Sequence, residues 1–259
     1  MDGRGLSRIR AVAANTFRET VRERVLYNLV FFAIAMTLSG FLLGQLSIRQ
    51  DERILKNVGL ASMEIFGTVI AIFIGVGLVS KEIERRSLYP LLAKPLTRTE
   101  LFLGKFVGLG FTLVVNVALM GLGLFATLVA TGWPADLHLL RAIYPIVLGL
   151  LVVVAIAQLF SAVTSSTLAA VCTFSVVVAG RYSTVIRDVR AVAPGFPRWL
   201  AETIYYVLPN FGNFDFKYRV VYGEPVPASV LAWVTAYAAV YVAILLSLGV
   251  VAFKARDLH

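Results

Sequence analysis

Long apolar stretches alternate with short polar segments along most of the chain. As a helix, each of these stretches is long enough to cross about 30 Å of hydrocarbon. Strict alternation of polar and apolar residues in segments of about 10, which is typical of membrane β-strands, is lacking. The pattern therefore predicts an all-helical (all-α) integral membrane protein with six transmembrane helices. The six apolar windows lie near residues 25–46, 58–80, 101–130, 142–163, 165–186 and 228–253.

Composition agrees with a membrane location. Hydrophobic residues make up 59% of the chain and the mean hydropathy is +0.82, above the apolar share of an ordinary soluble domain. We expect one transmembrane domain over residues 1–259. The single cysteine, Cys172, excludes an intrachain disulfide. The net charge of +9 does not require a nucleic acid, because basic residues commonly flank helices next to an anionic membrane surface.

The positions of lysine and arginine predict the orientation. Most of the 24 basic residues lie before the first window, between the second and third windows, and after the last. The positive-inside rule places these segments in the cytoplasm. We therefore expect both termini to be cytoplasmic, in a multi-pass protein of the bacterial plasma (inner) membrane. Arg53 and Lys56 fall in a short loop on the opposite side.

The segment before the first window has apolar residues at helical spacing, with charged residues on other faces. This pattern predicts an interfacial elbow helix within residues 1–24, with Arg18, Glu19 and Arg22 on its polar side. A simple anchor on the membrane surface is the alternative interpretation.

The polar segment 81–100 separates two strongly apolar windows. Ser87 can cap a short helix in which Leu88, Leu91 and Leu92 form an apolar stripe. Pro95 ends that helix. The stripe favours a docking surface for a cytoplasmic partner, and a solvated loop is the alternative.

The next residues predict the start of the third window. Thr97 and Glu100 have the spacing of a capping box, which satisfies free backbone N–H groups at a helix start.

The same segment carries a family resemblance. The stretch KEIERRSLYPLLAKPLTRTELFLGK resembles the signature of permease subunits of ATP-binding-cassette (ABC) transporters of the type-2 exporter class. Ser87 departs from the threonine that is more common there, but it keeps the capping hydroxyl. NTFRETVRERVLYNLVFFAI and YYVLPNFGNF are similar to a subgroup linked to copper-enzyme maturation and gliding motility. The resemblance implies a coupling helix whose contacts with an ATPase come from Glu82, Glu84, Arg85, Leu88, Leu91, Leu92, Pro95 and Arg98.

The resemblance also implies the partners. These are two copies of a separate ATPase, which bind ATP and Mg, and a second permease chain in a homodimer or heterodimer. We expect this chain to bind no cofactor or metal and to be no enzyme, because LGK at residues 103–105 lacks the flanking residues of a phosphate-binding loop. A stand-alone secondary carrier is one alternative. ATP-driven transmission of force to a periplasmic partner, without cargo, is another.

Several polar residues lie inside the apolar windows, where charges are costly. Glu64 and Arg181 form an intramembrane pair in one interpretation, and Arg181 reaches the membrane surface alone in the other. Asn116, Gln158 and Thr164 are candidates for hydrogen bonds between helices, and Gly104 with Gly108 for a close-packing face.

The external segment 187–227 is rich in aromatic residues. Such rings favour the headgroup level, and a role in substrate exit is the alternative. The family resemblance implies outer-face helices here, before the last span.

Overall fold

The computed structural model describes residues 3–20, 31–34, 51–84, 97–183 and 207–255. Two 3-10 helices, Leu137–Leu139 and Phe211–Phe214, lie between the longer elements, and residues 31–34 are helical. These described ranges contain no strand, so the all-helical prediction is confirmed. The α-helices are α1 (Gly3–Thr20), α2 (Asp51–Glu84), α3 (Arg98–Ala130), α4 (Leu140–Val163), α5 (Ser166–Arg181), α6 (Lys217–Val221) and α7 (Ala228–Ala255).

Helices α2, α3, α4 and α7 contain segments that are long and apolar enough to span a membrane. They match the second, third, fourth and sixth apolar windows. Helix α5 is also apolar but has 16 residues, which is about 24 Å at 1.5 Å per residue. The first window lies mostly outside the described residues, so the count of six spans stays a prediction. The four spanning segments are Glu52–Gly77, Thr99–Ala130, Leu137–Val163 and Ala228–Lys254.

The start of α2 differs from the predicted loop. Helix α2 begins at Asp51, so Arg53 and Lys56 lie in its first two turns. The Lys56 side chain is buried, with Nζ 2.6 Å from Glu52 and 2.8 Å from Asp136. Burial of a cation is tolerated when carboxylates pair with it. The prediction of a loop here was wrong because hydropathy does not reveal such pairing.

Asp136 joins α2 to the connection between α3 and α4. Burial opposes ionisation of its carboxyl, but hydrogen bonds from Lys56 Nζ and from the His138 backbone N–H outweigh it and lower the pKa of Asp136. The stability that ionised Asp136 contributes is therefore present above its unfolded-state pKa. It is lost as the pH falls through the lowered folded-state pKa.

The ends of the long helices lie at two opposite ends of the bundle, which are called here the Thr97 end and the Asp136 end. The Thr97 end contains the starts of α1 and α3, since Arg8 lies beside Glu100. The C-terminal end of α7 lies there too, because Phe102 packs against Phe253 at a ring distance of 6.0 Å. The Asp136 end contains the start of α2. The start of α7 lies there too, because Tyr144 near the start of α4 hydrogen-bonds Thr235 at 2.7 Å. The beginning of α1 and the end of α7 thus lie at the same end of the bundle.

Helix α4 is the centre of the described bundle. Most of its residues are buried, and it packs against α2, α3, α5 and α7. Glycines allow the close approach of α2: a Cβ on Gly67 would lie 2.7 Å from Leu150, and one on Gly75 would lie 2.6 Å from Ala157. From the first contact to the second, the residue numbers increase in both helices, so α2 and α4 run in the same direction.

Gly180 allows an equally close contact between α5 and the chain around Pro209. A Cβ there would overlap the Pro209 carbonyl oxygen and lie 2.8 Å from Cδ2 of Phe211. We expect Gly180→Ala to lower the free energy of unfolding by about 2 kcal/mol, because backbone cannot yield as a flexible side chain does. Thermal unfolding in detergent measures this effect.

The matched control for that change is Gly121→Ala in α3. Its added Cβ would meet only Ile143 at 3.5 Å, an ordinary contact, so the higher helix propensity of alanine should leave stability unchanged or raised. Equal effects of the two substitutions would contradict the packing at Gly180.

Candidate functional site

The capping box at the Thr97 end is present as predicted. The Glu100 backbone N–H donates to Thr97 Oγ1 at 3.2 Å, and the Thr97 N–H donates to Glu100 Oε2 at 2.9 Å. Arg8 Nη1 lies 3.8 Å from the same carboxylate, and a Cβ on Gly5 would lie 3.1 Å from Glu100 Oε1. Glu100 therefore joins the start of α1 to the start of α3, directly after segment 81–96.

Helix α1 lies lengthwise along the first half of α3. Gly104 faces Val12, and Gly108 faces the Ala13 carbonyl oxygen, which a Cβ would approach to 2.6 Å. Further along, the rings of Phe17 and Phe111 are 4.8 Å apart. The predicted close-packing glycine face is thus covered by α1, and small residues at such a face let two helices approach closely.

The predicted elbow residues are only partly described. Arg18 and Glu19 are exposed on α1, while Thr16 and Thr20 are buried. Arg22 lies outside the described residues. The interfacial position of this helix stays a prediction.

The predicted coupling residues are also described only in part. Glu82 and Glu84 lie in the last turn of α2, and Arg98 is the first residue of α3. Their contact with an ATPase stays a prediction. The remaining coupling residues lie outside the described part of the chain, namely Arg85, Leu88, Leu91, Leu92 and Pro95.

The structure brings Glu64 and Arg181 together near the Asp136 end. Arg181 Nη1 donates to Glu64 Oε1, and Arg181 Nη2 lies 3.2 Å from Glu64 Oε2. Arg181 Nη2 also donates to Asp215 at 2.8 Å. Lys217 Nζ contacts Glu64 and lies 3.3 Å from Asp215. Each cation in this four-charge cluster therefore contacts both carboxylates.

The four-charge cluster connects three separate parts of the fold. Glu64 is in α2, Arg181 ends α5, and Asp215 and Lys217 lie around the start of α6. The side chains are 15–34% exposed, so their charges are less screened than those of fully exposed pairs. The sequence did not reveal Asp215 and Lys217 as members of this cluster, because they lie in the predicted external segment, far along the chain from Glu64. The signal was their opposite charges, two positions apart, in the aromatic segment.

Three aromatic residues of the external segment are buried within the helix bundle. Phe211, Phe214 and Phe216 are at most 7% exposed. The Phe214 ring lies 5.8 Å from the ring of Tyr237 in α7, and a Cβ on Gly149 of α4 would be 3.4 Å from it. Two neighbouring spans thus offer these three rings a packing surface, and their level relative to the headgroups stays a prediction. The described part of this segment contains two short helices, Phe211–Phe214 and α6, and their position on the outer face stays a prediction.

Two of the residues predicted to form hydrogen bonds between helices, Thr164 and Gln158, have different surroundings. Thr164 Oγ1 donates to the Phe160 carbonyl oxygen in its own helix at 2.9 Å, so the prediction of a bond between helices was wrong for it. Gln158 is fully buried, and neither of its amide atoms is hydrogen-bonded within the described residues. Ser161, which the sequence did not single out, joins α4 to α2 by donating to the Val76 carbonyl oxygen at 3.1 Å.

No group of three or more His, Cys, Asp or Glu side chains within the described ranges is placed to hold a metal ion. The contacts described here are helix packing, ion pairs and the junction between the starts of α1 and α3. They are typical of a membrane helix bundle.

Comparison with known proteins gives one positive result. No curated protein matches the chain. A family model described as ABC-2 family transporter protein matches residues 10–185, which is more than half of the chain. The match includes the capping box, the glycine face of α3 and the Glu64–Arg181 pair. This multi-pass membrane chain therefore belongs to the ABC-2 transporter family, as a permease component.

Proposed function

We propose that the chain is one of two permease chains in an ABC exporter of the plasma membrane. Two separate ATPase subunits bind ATP and Mg²⁺ and hydrolyse the nucleotide. Segment 81–100 lies in the cytoplasm with both termini and contacts an ATPase subunit. The second permease chain, identical or related, completes the transport pathway.

The observation that best supports this function is the junction made by Glu100. It caps α3, lies against Gly5 and pairs with Arg8. A displacement of segment 81–96 would therefore act on α1 and α3 together. The close packing at Gly104 and Gly108 supports movement of the two helices as one unit.

Helix α3 provides a route from the Thr97 end to the Asp136 end. Its 33 residues span about 50 Å at 1.5 Å per residue. Beyond α3, Asp136 forms an ion pair with Lys56 at the start of α2. Further along α2, Glu64 belongs to the four-charge cluster. In the proposed cycle, ATP brings the ATPase subunits together, the coupling segments follow, and the helices rearrange at the Asp136 end.

The function is tested with the chain purified alone and together with its ATPase. We expect the contaminant-free chain to hydrolyse no ATP, and turnover to appear only in the complex. The control is an ATPase subunit whose phosphate-binding lysine is replaced, which should assemble but not hydrolyse. ATP turnover by the isolated chain would contradict the proposal, and so would transport driven by an ion gradient without the ATPase.

A further inference from the structure

A cavity of about 420 Å³ lies between the chain at residues 212–219 and the first turns of α7. Its walls include Asp215, Phe216, Arg219, Trp233 and Tyr237. The volume is within the range of small-molecule sites. The walls combine apolar and aromatic surface with a small number of charged groups, which is the composition of a site for an amphiphilic ligand.

Arg219 supplies the net charge of this cavity. The four-charge cluster contains two cations and two carboxylates, so Asp215 is neutralised by Arg181 and Lys217. Arg219 is exposed, and its Cζ lies 6.0 Å from the centre of the Phe216 ring. In the part of the chain that the structure describes, no carboxylate forms an ion pair with it. The cavity therefore presents a positive charge to a ligand.

The position of Trp233 indicates where the cavity lies relative to the bilayer. The candidate span of α7 begins at Ala228, so Trp233 is about 7.5 Å into it at 1.5 Å per residue. Its side chain is 76% exposed. Tryptophan is favoured at the boundary between headgroups and hydrocarbon. The cavity thus opens at the depth where a lipid phosphate and the first acyl carbons lie.

We propose that this cavity binds a phospholipid of the adjacent leaflet. The guanidinium of Arg219 donates hydrogen bonds to the phosphate oxygens, because its planar donors match phosphate geometry. Trp233 and Tyr237 contact the glycerol and the upper part of an acyl chain. Beyond them, the acyl chain follows the exposed apolar face of α7, where Val240 is 57% and Ile244 is 52% exposed. The net positive charge favours an anionic headgroup such as phosphatidylglycerol.

The test is native mass spectrometry of the full chain in detergent, titrated with phosphatidylglycerol. We expect Arg219→Gln to weaken binding about tenfold, which corresponds to about 1.4 kcal/mol. Trp233→Ala should weaken it by a smaller factor. The matched control is Arg141→Gln, because Arg141 is an exposed arginine at the same end of the bundle but outside the cavity. That change should leave binding unaltered.

Two further ligands distinguish a lipid site from a site for soluble anions. Diacylglycerol lacks the phosphate and should bind at least tenfold more weakly than phosphatidylglycerol. Soluble glycerol phosphate should not displace the lipid at equal concentration, because it lacks the acyl chains. The proposal is overturned if Arg219→Gln or the loss of the phosphate has no effect, or if glycerol phosphate competes equally with the lipid.

Discussion

Replacing Leu91 with aspartate is expected to reduce co-purification of the ATPase by about 100-fold while the chain stays folded and inserted. Leu91 is central to the apolar stripe that the sequence predicts for Leu88, Leu91 and Leu92. At a desolvated contact, an unpaired carboxylate costs a few kcal/mol, and about 2.7 kcal/mol corresponds to a factor of 100 in affinity. The measurement is recovery of the ATPase with wild-type and variant chains at equal permease levels.

The matched control is Leu137→Asp. Leu137 is 70% exposed and lies at the opposite end of the bundle, beside Asp136, so the same chemical change there should not alter recovery. If Leu91→Asp also leaves recovery and ATP turnover unchanged, Leu91 is not part of a coupling surface, and the alternative of a solvated loop holds for the residues between α2 and α3.

Replacing Glu64 with lysine is expected to lower the free energy of unfolding by about 3 kcal/mol. The variant would place three cations, the new lysine with Arg181 and Lys217, around Asp215 alone. Removing one partner of a partly buried ion pair leaves the charge of the other partner uncompensated. A loss of that size corresponds to a decrease in Tm of roughly 10 °C for a domain of this length. Thermal unfolding in detergent measures it, and limited proteolysis after Lys217 or Arg219 reports whether the segment around α6 has left the bundle.

A charge exchange separates pairing from a general effect of the substitution. Adding Lys217→Glu to Glu64→Lys restores two cations and two carboxylates on the same three elements. We expect the double variant to regain at least half of the lost stability. Glu224→Lys, at an exposed position of the same end, is the control and should change the free energy of unfolding by less than about 0.5 kcal/mol. Failure of the exchange to restore stability would show that Glu64 acts through something other than these pairs.

The Glu64 and Leu91 variants also test the proposed transmission from one end to the other. In the proposed cycle, segment 81–100 receives the force and the four-charge cluster moves at the far end. Glu64→Lys should therefore preserve ATPase recovery even where it changes ATP turnover. Leu91→Asp should preserve the Tm of the isolated chain. The opposite pattern in both variants would contradict a division of roles between the two ends.

Features that depend on neighbouring residues could be predicted from the sequence. The apolar windows near 58–80, 101–130, 142–163 and 228–253 correspond to helices long enough to span a membrane, because burial in lipid selects a long run of apolar residues. The Thr97–Glu100 capping box was also predictable, since both bonds join residues three positions apart. The signature after α2 indicated the family that the comparison then showed.

The tertiary structure decided which distant residues meet. Glu64 contacts Arg181 and Lys217 across 117 and 153 positions of sequence, and Lys56 contacts Asp136 across 80. A hydropathy profile shows each of these residues only as a polar position. The energy of a buried charge depends on its partner, and the sequence does not reveal which residue that partner is. The same reason explains the buried Phe211, whose surroundings are made by other helices. The sequence by itself thus determined the helices, the cap and the family, while the fold determined the ion pairs and the cavity, since those depend on contacts between distant segments.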